Sequence, residues 1–374
     1  MVKSNVNALG VIFANTYDNL VPELVAERSM ASIPFGGRYR LIDFTLSSMV
    51  NAGIDNVSVI VRKNYHSLMD HLGAGREWDL TRKRGGLNIV PPFAERSVKM
   101  YSGRVDAIES ILSWLEAQKE RYVILSDSYI AVNFDFGKLI DAHVASGADV
   151  TMVYNRAAIP EGARSDNYTV RMDENGRVTE ILSNDYRLGD QNLSMNMYVI
   201  ERESLIHLIH DAAVRGLVYF ERDILARNLK LLNVQGYEFK GYAARISDMK
   251  SYFDENMRLL EPGSMEALFG GAPIYTKIRD DNPTRYLAGS AVKNSLLADG
   301  CVIEGTVENS VLFRGCQVKK GAVVKNCVLM QDTVVEPDCD VEYVVTDKNV
   351  HITEGKKLTG TDTFPVFIAK NHSV

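Results

Sequence analysis

The sequence predicts an α/β domain with a mostly parallel sheet, followed by a C-terminal parallel β-helix. Over residues 6–154, apolar runs with the length of buried strands alternate with segments of helical spacing. From Asn294 onward the sequence repeats itself instead. The chain has 374 residues, too many for one compact core. We therefore predict an α/β domain at 1–262, a linker at 263–286 and a β-helix at 287–374.

The α/β pattern is clearest in the first half of the chain. Predicted strands are 6–14, 56–61, 122–125 and 150–154, predicted helices are 41–50 and 139–144, and Ile108, Ile111, Leu112 and Leu115 also follow helical spacing. Asn175-Gly176 predicts a hairpin turn in which both residues have positive φ angles. Ligands of such sheets bind beyond the carboxyl ends of the strands. The loops after Ala14 and after Leu125 are therefore the predicted ligand loops.

The C-terminal repeats begin at Asn309, Asn326 and Tyr343, which are 17 residues apart. Each unit contains short β-branched runs interrupted by Gly, Asp or Asn. Such a unit cannot bury its own apolar face, so stacking of successive units into a β-helix is expected. The alternative is an antiparallel meander with chance similarity between units.

Composition excludes several classes of protein. The net charge of −6 argues against general nucleic-acid binding, and the absence of a long apolar run argues against a transmembrane helix. The N-terminus lacks a signal-peptide pattern, so a cytoplasmic location is expected. The four cysteines fit three alternatives, namely disulfides, a metal cluster or buried thiols. Their apolar surroundings favour buried reduced thiols. They are Cys301, Cys316, Cys327 and Cys339.

Three segments resemble a known family. They are residues 33–44 (IPFGGRYRLIDF), 51–54 (NAGI) and 77–86 (EWDLTRKRGG). These segments are similar to those of the ADP-glucose pyrophosphorylase (glucose-1-phosphate adenylyltransferase) family of bacterial glycogen synthesis. The resemblance implies a Rossmann-like nucleotidyltransferase domain, a left-handed β-helix, adenylyl transfer from ATP to glucose 1-phosphate, dependence on Mg²⁺ and a tetramer.

The phosphate-binding loop departs from the family pattern. Active members carry a GGxGxR-type loop, whose glycines let backbone N–H groups approach the triphosphate. The corresponding residues here are 14–20, where no glycine remains and no arginine follows. Asn15, Thr16 and Asp18 are expected to block a triphosphate by bulk and charge. The lysine of the family's KPA motif falls at Met30, and Glu27 stands where some members carry a basic residue tied to activator binding.

The metal and sugar-phosphate motifs are altered as well. The magnesium aspartate of the family's LSGD motif aligns with Ser128, and Asp127 is a possible substitute after a one-residue shift. The second family metal ligand survives as Asp223 within 220–225, although an isolated carboxylate there is more often a helix-start residue. The family's EKP segment aligns near 182–184 without its lysine, and Asn196 replaces a glycine.

Loss of the chemistry with retention of the scaffold predicts a regulatory or structural subunit, similar to the GlgD-type branch of the family. We expect it to be inactive or very weak alone, to bind ATP poorly, and to form a mixed tetramer with a catalytic ADP-glucose pyrophosphorylase subunit. One alternative is a weakly active adenylyltransferase in which Asp127 and Asp223 share the metal. Others are an acyltransferase using His351 and a sugar-nucleotide sensor.

An anionic effector site between the domains is the last prediction. Arg38 and Arg40 lie in the preserved segment, and Arg314 lies in a β-helix repeat that faces the catalytic domain in the family. Guanidinium groups donate paired hydrogen bonds to phosphate, so a sugar phosphate is the expected ligand. The alternative is that Arg38 and Arg40 only pair with acidic neighbours such as Asp43.

Overall fold

The computed structural model describes residues 6–92, 101–159, 167–185, 187 and 189–374. The helices are α1 (Pro22–Val25), α2 (Leu41–Asn51), α3 (His66–Leu72), α4 (Arg104–Glu109), α5 (Leu112–Glu116), α6 (Phe136–Ser146), α7 (Arg202–Val214), α8 (Ala226–Asn228), α9 (Met249–Arg258) and α10 (Ser264–Phe269). Two short 3₁₀ helices (Met30–Ser32 and Arg76–Trp78) and a π-helical segment (Phe220–Leu225) complete the helical part. Among the described residues, no helix is long and apolar enough to span a bilayer.

The first domain is built on a nine-stranded sheet. Its strands and those of two small ribbons are β1 (Ala8–Phe13), β2 (Pro34–Phe35), β3 (Tyr39–Arg40), β4 (Asn56–Ile60), β5 (Gly86–Val90), β6 (Tyr122–Asp127), β7 (Ile130–Val132), β8 (Val150–Ala157), β9 (Tyr168–Met172), β10 (Val178–Ser183), β11 (Gln191–Glu201), β12 (Val234–Glu238) and β13 (Ala243–Arg245). Strands β5, β4, β1 and β6 pair in parallel, and β11 joins β6 in the antiparallel sense. The mostly parallel sheet predicted from the alternating pattern is confirmed.

Side chains of β1 alternate between two hydrophobic cores, one on each face of the sheet. Ile12 packs into one core, and Val11 and Phe13 pack into the other. Burial of both faces explains why this strand is apolar along its whole length.

Two local predictions differ from the structure. The helical spacing from Ile108 to Leu115 spans two short helices, α4 and α5, which are separated by Ser110 and Ile111. At the hairpin between β9 and β10, Gly176 has a φ of 79°, but Asn175 does not have a positive φ. The prediction for Asn175 was therefore wrong. The pairing of the two strands shifts register between Val178 and Glu180.

The C-terminal part is a left-handed parallel β-helix made of three sheets with five strands each. The strands are β14 (Arg285–Tyr286), β15 (Ala291–Lys293), β16 (Leu296–Leu297), β17 (Val302–Ile303), β18 (Thr306–Glu308), β19 (Val311–Leu312), β20 (Gln317–Val318), β21 (Val323–Lys325), β22 (Val328–Leu329), β23 (Val334–Val335), β24 (Asp340–Glu342), β25 (Val344–Thr346), β26 (His351–Ile352), β27 (Lys357–Thr359) and β28 (Val366–Ile368). The segment predicted as a linker contains α10 and β14.

One corner of each coil adopts a left-handed backbone. Asn294, Asn309, Asn326 and Tyr343 have φ angles of 42°, 43°, 51° and 52°. Asparagine tolerates this conformation because its short side chain bonds locally, and Asn294 donates to the Oδ1 of Asn309 at 2.8 Å. The recurring asparagine of the repeats is therefore a corner residue. The four cysteines are free and buried inside the coils, which confirms the prediction of buried thiols.

The β-helix shares a hydrophobic core with the first domain. Val311, Val328 and Val345, from β19, β22 and β25, belong to the cluster that also contains Ile12 and Phe253. A buried ion pair crosses the same boundary, since Arg28 binds both carboxylate oxygens of Asp347 at 2.7 and 2.9 Å. The two domains are therefore held together by apolar packing and by a buried charge pair.

Candidate functional site

The predicted ligand loops meet at one edge of the sheet. Phe13, the last residue of β1, lies beside Ile60 of β4 on one side and Asp127 of β6 on the other. The loop of residues 14–20 therefore stands next to Asp127 and Ser128, as the carboxyl-end rule for parallel sheets requires.

The loop after β1 is closed by its own side chains. Asn15 accepts a hydrogen bond from the amide of Arg62 at 2.7 Å and donates to Asp18 at 2.7 Å. Asp18 in turn accepts from the amide of Met30 at 2.7 Å, and Met30 is part of the hydrophobic core. Asp18 thus holds the chain at Met30, while its repulsion of a triphosphate stays a prediction.

Burial raises the pKa of Asp18 to about 6, against the hydrogen bonds from Asn15 and Met30, which lower it. The pKa of Asp18 in the folded state is higher than its ordinary value of 3.8. The protonated carboxyl group therefore favours the folded state below pH 3.8, and this contribution to stability is lost as the pH rises through about 6. The loss is about 3 kcal/mol at most. We predict that Asp18→Asn, which cannot ionise, gains unfolding free energy relative to the wild type between pH 4 and pH 7. Chemical denaturation at several pH values measures this, and a constant difference would contradict it.

Tyr17 fills the space between the loop and the sugar-phosphate motif. Its ring packs on Tyr129 with centroids 4.2 Å apart, and its hydroxyl accepts a hydrogen bond from Asn196. Arg245 donates to the Tyr129 hydroxyl and to the Ser194 carbonyl. Asn196, which stands where the resemblance expects a glycine, is therefore in contact with Tyr17.

Asp127 and Ser128 both lie in the interior at the end of β6. The Asp127 carboxylate accepts hydrogen bonds from Thr16 at 2.9 Å and from Arg104 at 2.6 Å. The Ser128 hydroxyl faces the carbonyl of Phe13 at 3.4 Å. Burial raises the pKa of Asp127, and Arg104 and Thr16 oppose this shift.

Arg104 and Glu221 line this edge of the sheet, and sequence reasoning missed both. The guanidinium of Arg104 contacts Glu221 as well as Asp127, and all three side chains are at most 5% exposed. Glu221 also accepts a hydrogen bond from the hydroxyl of Tyr198 at 2.9 Å. The only sequence signal was a glutamate two residues before Asp223, which by itself indicates nothing about an arginine more than a hundred residues earlier.

The carboxylate of Asp223 bonds residues that are close to it in the chain. Its carboxylate accepts hydrogen bonds from the amides of Val218 and Tyr219 at 3.3 and 3.0 Å, and from Arg222 at 3.1 Å. These contacts are those of a helix-start carboxylate. They hold the pKa of Asp223 below its ordinary value, although burial acts in the opposite direction.

The remaining cavity at the sheet edge is small. Its volume is about 160 Å³, and its wall includes Thr16, Tyr17, Arg62, Arg104 and Glu221. Small-molecule sites commonly measure about 300–1,000 Å³. A nucleoside triphosphate would therefore require the loop and its tyrosine to move.

A second and larger cleft of about 670 Å³ lies between the two domains. Seven of its lining residues are arginine or lysine, namely Arg38, Arg40, Lys277, Arg279, Arg314, Lys348 and Lys370. Asp70 and Asp332 are the acidic residues in the same wall. Three acidic residues outside the lining, Glu27, Asp281 and Asp299, also pair with its cations. The excess of positive charge that remains favours an anionic ligand.

The structure brings the three predicted effector residues to this cleft. Arg38 and Arg314 both approach Asp299, at 3.9 and 4.0 Å, distances of weak ion pairs. Arg40 donates to the carbonyl and the hydroxyl of Ser67 at 2.6 and 3.0 Å. These three residues line the cleft together, while a role in effector binding stays a prediction.

The alternative pairing of Arg40 with Asp43 takes a different form. The backbone amide of Arg40, and not its guanidinium, donates to Asp43 at 2.9 Å. The other oxygen of Asp43 bonds His71 at 2.6 Å. The Arg40 guanidinium is thus held by Ser67 instead of Asp43.

The β-helix contributes cations that sequence reasoning missed. Lys348 is crowded, and burial together with Arg40 and Arg28 lowers its pKa to about 7, although Asp347 opposes this. Lys370 forms an ion pair with Glu27 at 2.6 Å. Glu27, which stands where a basic residue was expected, therefore neutralises one cation of the cleft.

Comparisons with known proteins agree with this architecture. The nucleotidyl transferase family profile matches residues 20–255, and a GlmU-like C-terminal hexapeptide profile matches residues 278–363. The chain is 36% identical over 368 residues to the glycogen biosynthesis protein GlgD of Bacillus subtilis (strain 168), covering 98% of this chain and 96% of that protein. The chain belongs to the nucleotidyltransferase family of GlgD and glucose-1-phosphate adenylyltransferase proteins.

Two further relatives come from one organism, Geobacillus stearothermophilus. Its GlgD protein is 38% identical over 322 residues, covering 86% of this chain and 83% of that protein. Its glucose-1-phosphate adenylyltransferase is 30% identical over 322 residues, covering 85% and 83% respectively. The chain therefore has relatives of both names in one species.

Magnesium, which the family implies, does not fit the residues of this site. Asp127 and Glu221 are both paired with the guanidinium of Arg104, and Asp223 is bonded to backbone amides. Within the described ranges, no group of three or more histidine, cysteine, aspartate or glutamate side chains is arranged to hold a metal ion. Mg²⁺ requires oxygen ligands in an open octahedral arrangement, whereas here a cationic side chain is the neighbour of both carboxylates.

Proposed function

We propose that this chain is a non-catalytic subunit of glucose-1-phosphate adenylyltransferase in glycogen biosynthesis. The observation that carries the proposal is the state of the nucleotide edge, where Arg104 is paired with Asp127 and Glu221, and Tyr17 packs against Tyr129 and Asn196. Adenylyl transfer depends on positioning and on neutralising phosphate charge. These side chains occupy the space in which the phosphate groups would be positioned and their charge neutralised.

The alternative of a weakly active enzyme has less support. It requires Asp127 and Asp223 to share a metal, but their carboxylates are engaged with different partners. The acyltransferase alternative relied on His351, which is paired with Glu336 at 2.8 Å on the last complete coil.

Assembly with a catalytic subunit is the second part of the proposal. The first coil of the β-helix leaves β14 and β15 exposed, including Tyr286 at 58% and Val292 at 37%. An open coil end with unpaired strand edges and apolar side chains is a surface that proteins cover. A mixed tetramer with the catalytic subunit would supply that cover.

We predict that light scattering detects a mixed tetramer when this chain is combined with a glucose-1-phosphate adenylyltransferase from the same organism. Val292→Lys together with Tyr286→Lys should weaken the complex, because charge is placed on the open edge. The exposed Val214→Lys, on helix α7, is the matched control. A mixture in which each protein keeps its own mass would contradict the proposal.

The interdomain cleft is proposed as the site of an anionic, phosphorylated effector. Its support is the set of seven arginine and lysine residues from both domains in one wall. A ligand bound there would contact the first domain through Arg40 and the β-helix through Lys348. Binding would therefore depend on how the two domains are arranged, which is what regulation between subunits requires.

We predict that sulfate binds the cleft more tightly at pH 6 than at pH 8. Sulfate is a suitable probe because its own charge does not change near neutral pH. Lys348 has a pKa of about 7 beside Arg28, Arg40, Asp347 and Lys370, and a bound dianion favours its protonated form. The gain is about fivefold to tenfold at constant ionic strength. Titration calorimetry should show that Lys348→Met loses most of this dependence, while the exposed Lys357→Met keeps it. An equal pH dependence in both variants would contradict the prediction.

A further inference from the structure

The strongest unexplained feature is a buried cation at the edge of the sheet where ligands of this fold bind. The side chains of Arg104, Asp127 and Glu221 are 5%, 1% and 4% exposed. Arg104 comes from the start of α4, Asp127 from the end of β6, and Glu221 from the π-helical segment. Three separate elements are therefore joined through one guanidinium group.

The surroundings of Arg104 are built around a positive charge. The guanidinium lies 5.0 Å from the ring centre of Phe13 and 5.6 Å from that of Tyr198. The faces of aromatic rings attract cations, most strongly where water is excluded. Burial alone would lower the pKa of Arg104, but the charges of Asp127 and its neighbours outweigh this and raise it.

The negative charge of the two buried carboxylates has to be compensated. A buried charge without a partner destabilises the folded state by far more free energy than one ordinary hydrogen bond contributes to stability. Thr16 and Tyr198 each donate one hydrogen bond to them, which satisfies oxygen atoms without removing charge. A bound ion, a charged side chain or a proton taken up by one of the carboxylates can remove that charge, and here the guanidinium of Arg104 contacts both.

We propose that the Arg104 guanidinium is a tethered replacement for a divalent cation, and that it makes the nucleotide edge of this domain independent of metal. The inference rests on the proposed non-catalytic function. The side chain bridges the carboxylates permanently, so the ends of β1, β6 and the π-helical segment stay ordered with no ligand bound.

The test is the response of stability to Mn²⁺. Thermal unfolding of the wild type and of Arg104→Lys, which keeps a cation, is expected to be unchanged by Mn²⁺. Arg104→Ala leaves two carboxylates facing a cavity. Its unfolding midpoint is expected to fall without metal and to rise in a saturable manner with Mn²⁺, including the case in which it refolds only when Mn²⁺ is present.

The second substitution Glu221→Gln in the Arg104→Ala variant is the matched control and should abolish the Mn²⁺ response. Bound Mn²⁺, counted by electron paramagnetic resonance, should fall from one ion per chain to none. The proposal is overturned if Arg104→Ala gains neither stability nor folding from Mn²⁺. It is also overturned if Mn²⁺ stabilises the wild type in a way that Asp127→Asn removes. Activity and assembly assays of the wild type test the proposed function separately.

Discussion

Arg28→Met is expected to destabilise the protein by about 3–5 kcal/mol, the cost of leaving one member of a buried ion pair without its partner. Arg28 is 3% exposed and Asp347 is 6% exposed. Once the guanidinium is removed, the amide of Lys348 remains as a donor to Asp347. The Lys348 ammonium, whose pKa burial and Arg28 lower and Asp347 raises, is a nearby cation, but in the described part of the structure it forms no ion pair with Asp347. Because the pair joins the two domains, the loss should appear as earlier unfolding of the β-helix from the first domain.

Chemical denaturation with a probe in each domain measures this effect. Arg121→Met is the matched control, since Arg121 pairs with Glu201 on the surface at 61% and 43% exposure, and such pairs contribute about 0–1 kcal/mol. Replacing Arg28 and Asp347 together with apolar residues should recover part of the loss, because no unpaired charge stays buried. Equal effects of Arg28→Met and Arg121→Met would show that the pair does not hold the domains together.

The second large expected effect is on catalysis. We predict that the purified chain makes ADP-glucose at least a thousandfold more slowly than a catalytic relative. Removing one group that stabilises transition-state charge costs about 2.7–4 kcal/mol, which is about a hundredfold to a thousandfold in rate. Here the glycine loop is replaced, Asp127 is paired with Arg104, and Tyr17 packs against Tyr129.

A radiometric assay of the chain alone, with ATP, glucose 1-phosphate and Mg²⁺, measures this rate. The effects of grouped residues are not additive, so a single reversion is expected to restore little. A Tyr17→Gly variant should enlarge the cavity without producing a comparable enzyme. A rate within tenfold of catalytic relatives would contradict the prediction.

The β-helix was predictable in detail because its sequence signal is local and periodic. One corner of the repeat has a left-handed residue, and Asn309 and Asn326 mark that corner at the same place in successive repeats. Tyr343 holds the equivalent angle of 52°, although tyrosine gives no sequence signal for it. The register of the stacked coils there follows from the spacing of the repeats.

The site was predictable only where its residues share a motif. The carboxyl-end rule located Asn15, Thr16 and Asp127 at one edge, because strand order determines which loops meet. Arg104 was missed because its partners come from other parts of the chain. The contact of Asp18 with the amide of Met30, twelve residues later, was missed for a similar reason.

In the interdomain cleft, too, residues that belong to a motif were predicted, and residues that only tertiary contacts bring there were missed. Arg38, Arg40 and Arg314 were predicted from the preserved segment and from the position of a repeat. Lys348 and Lys370 were not, because they follow no motif and line the cleft only in the folded chain. Charge clusters that form between domains are set by tertiary packing.

The most direct test of the central claim is the activity of a mixed enzyme in which the catalytic partner has been inactivated. The partner's magnesium aspartate is replaced by asparagine, the mixture is purified as a complex, and ADP-glucose synthesis is measured beside a complex with the unaltered partner. The account predicts activity in the unaltered complex and none in the inactivated complex, because this chain supplies no working site. Substantial synthesis by the complex with the inactivated partner would show that this chain is catalytic.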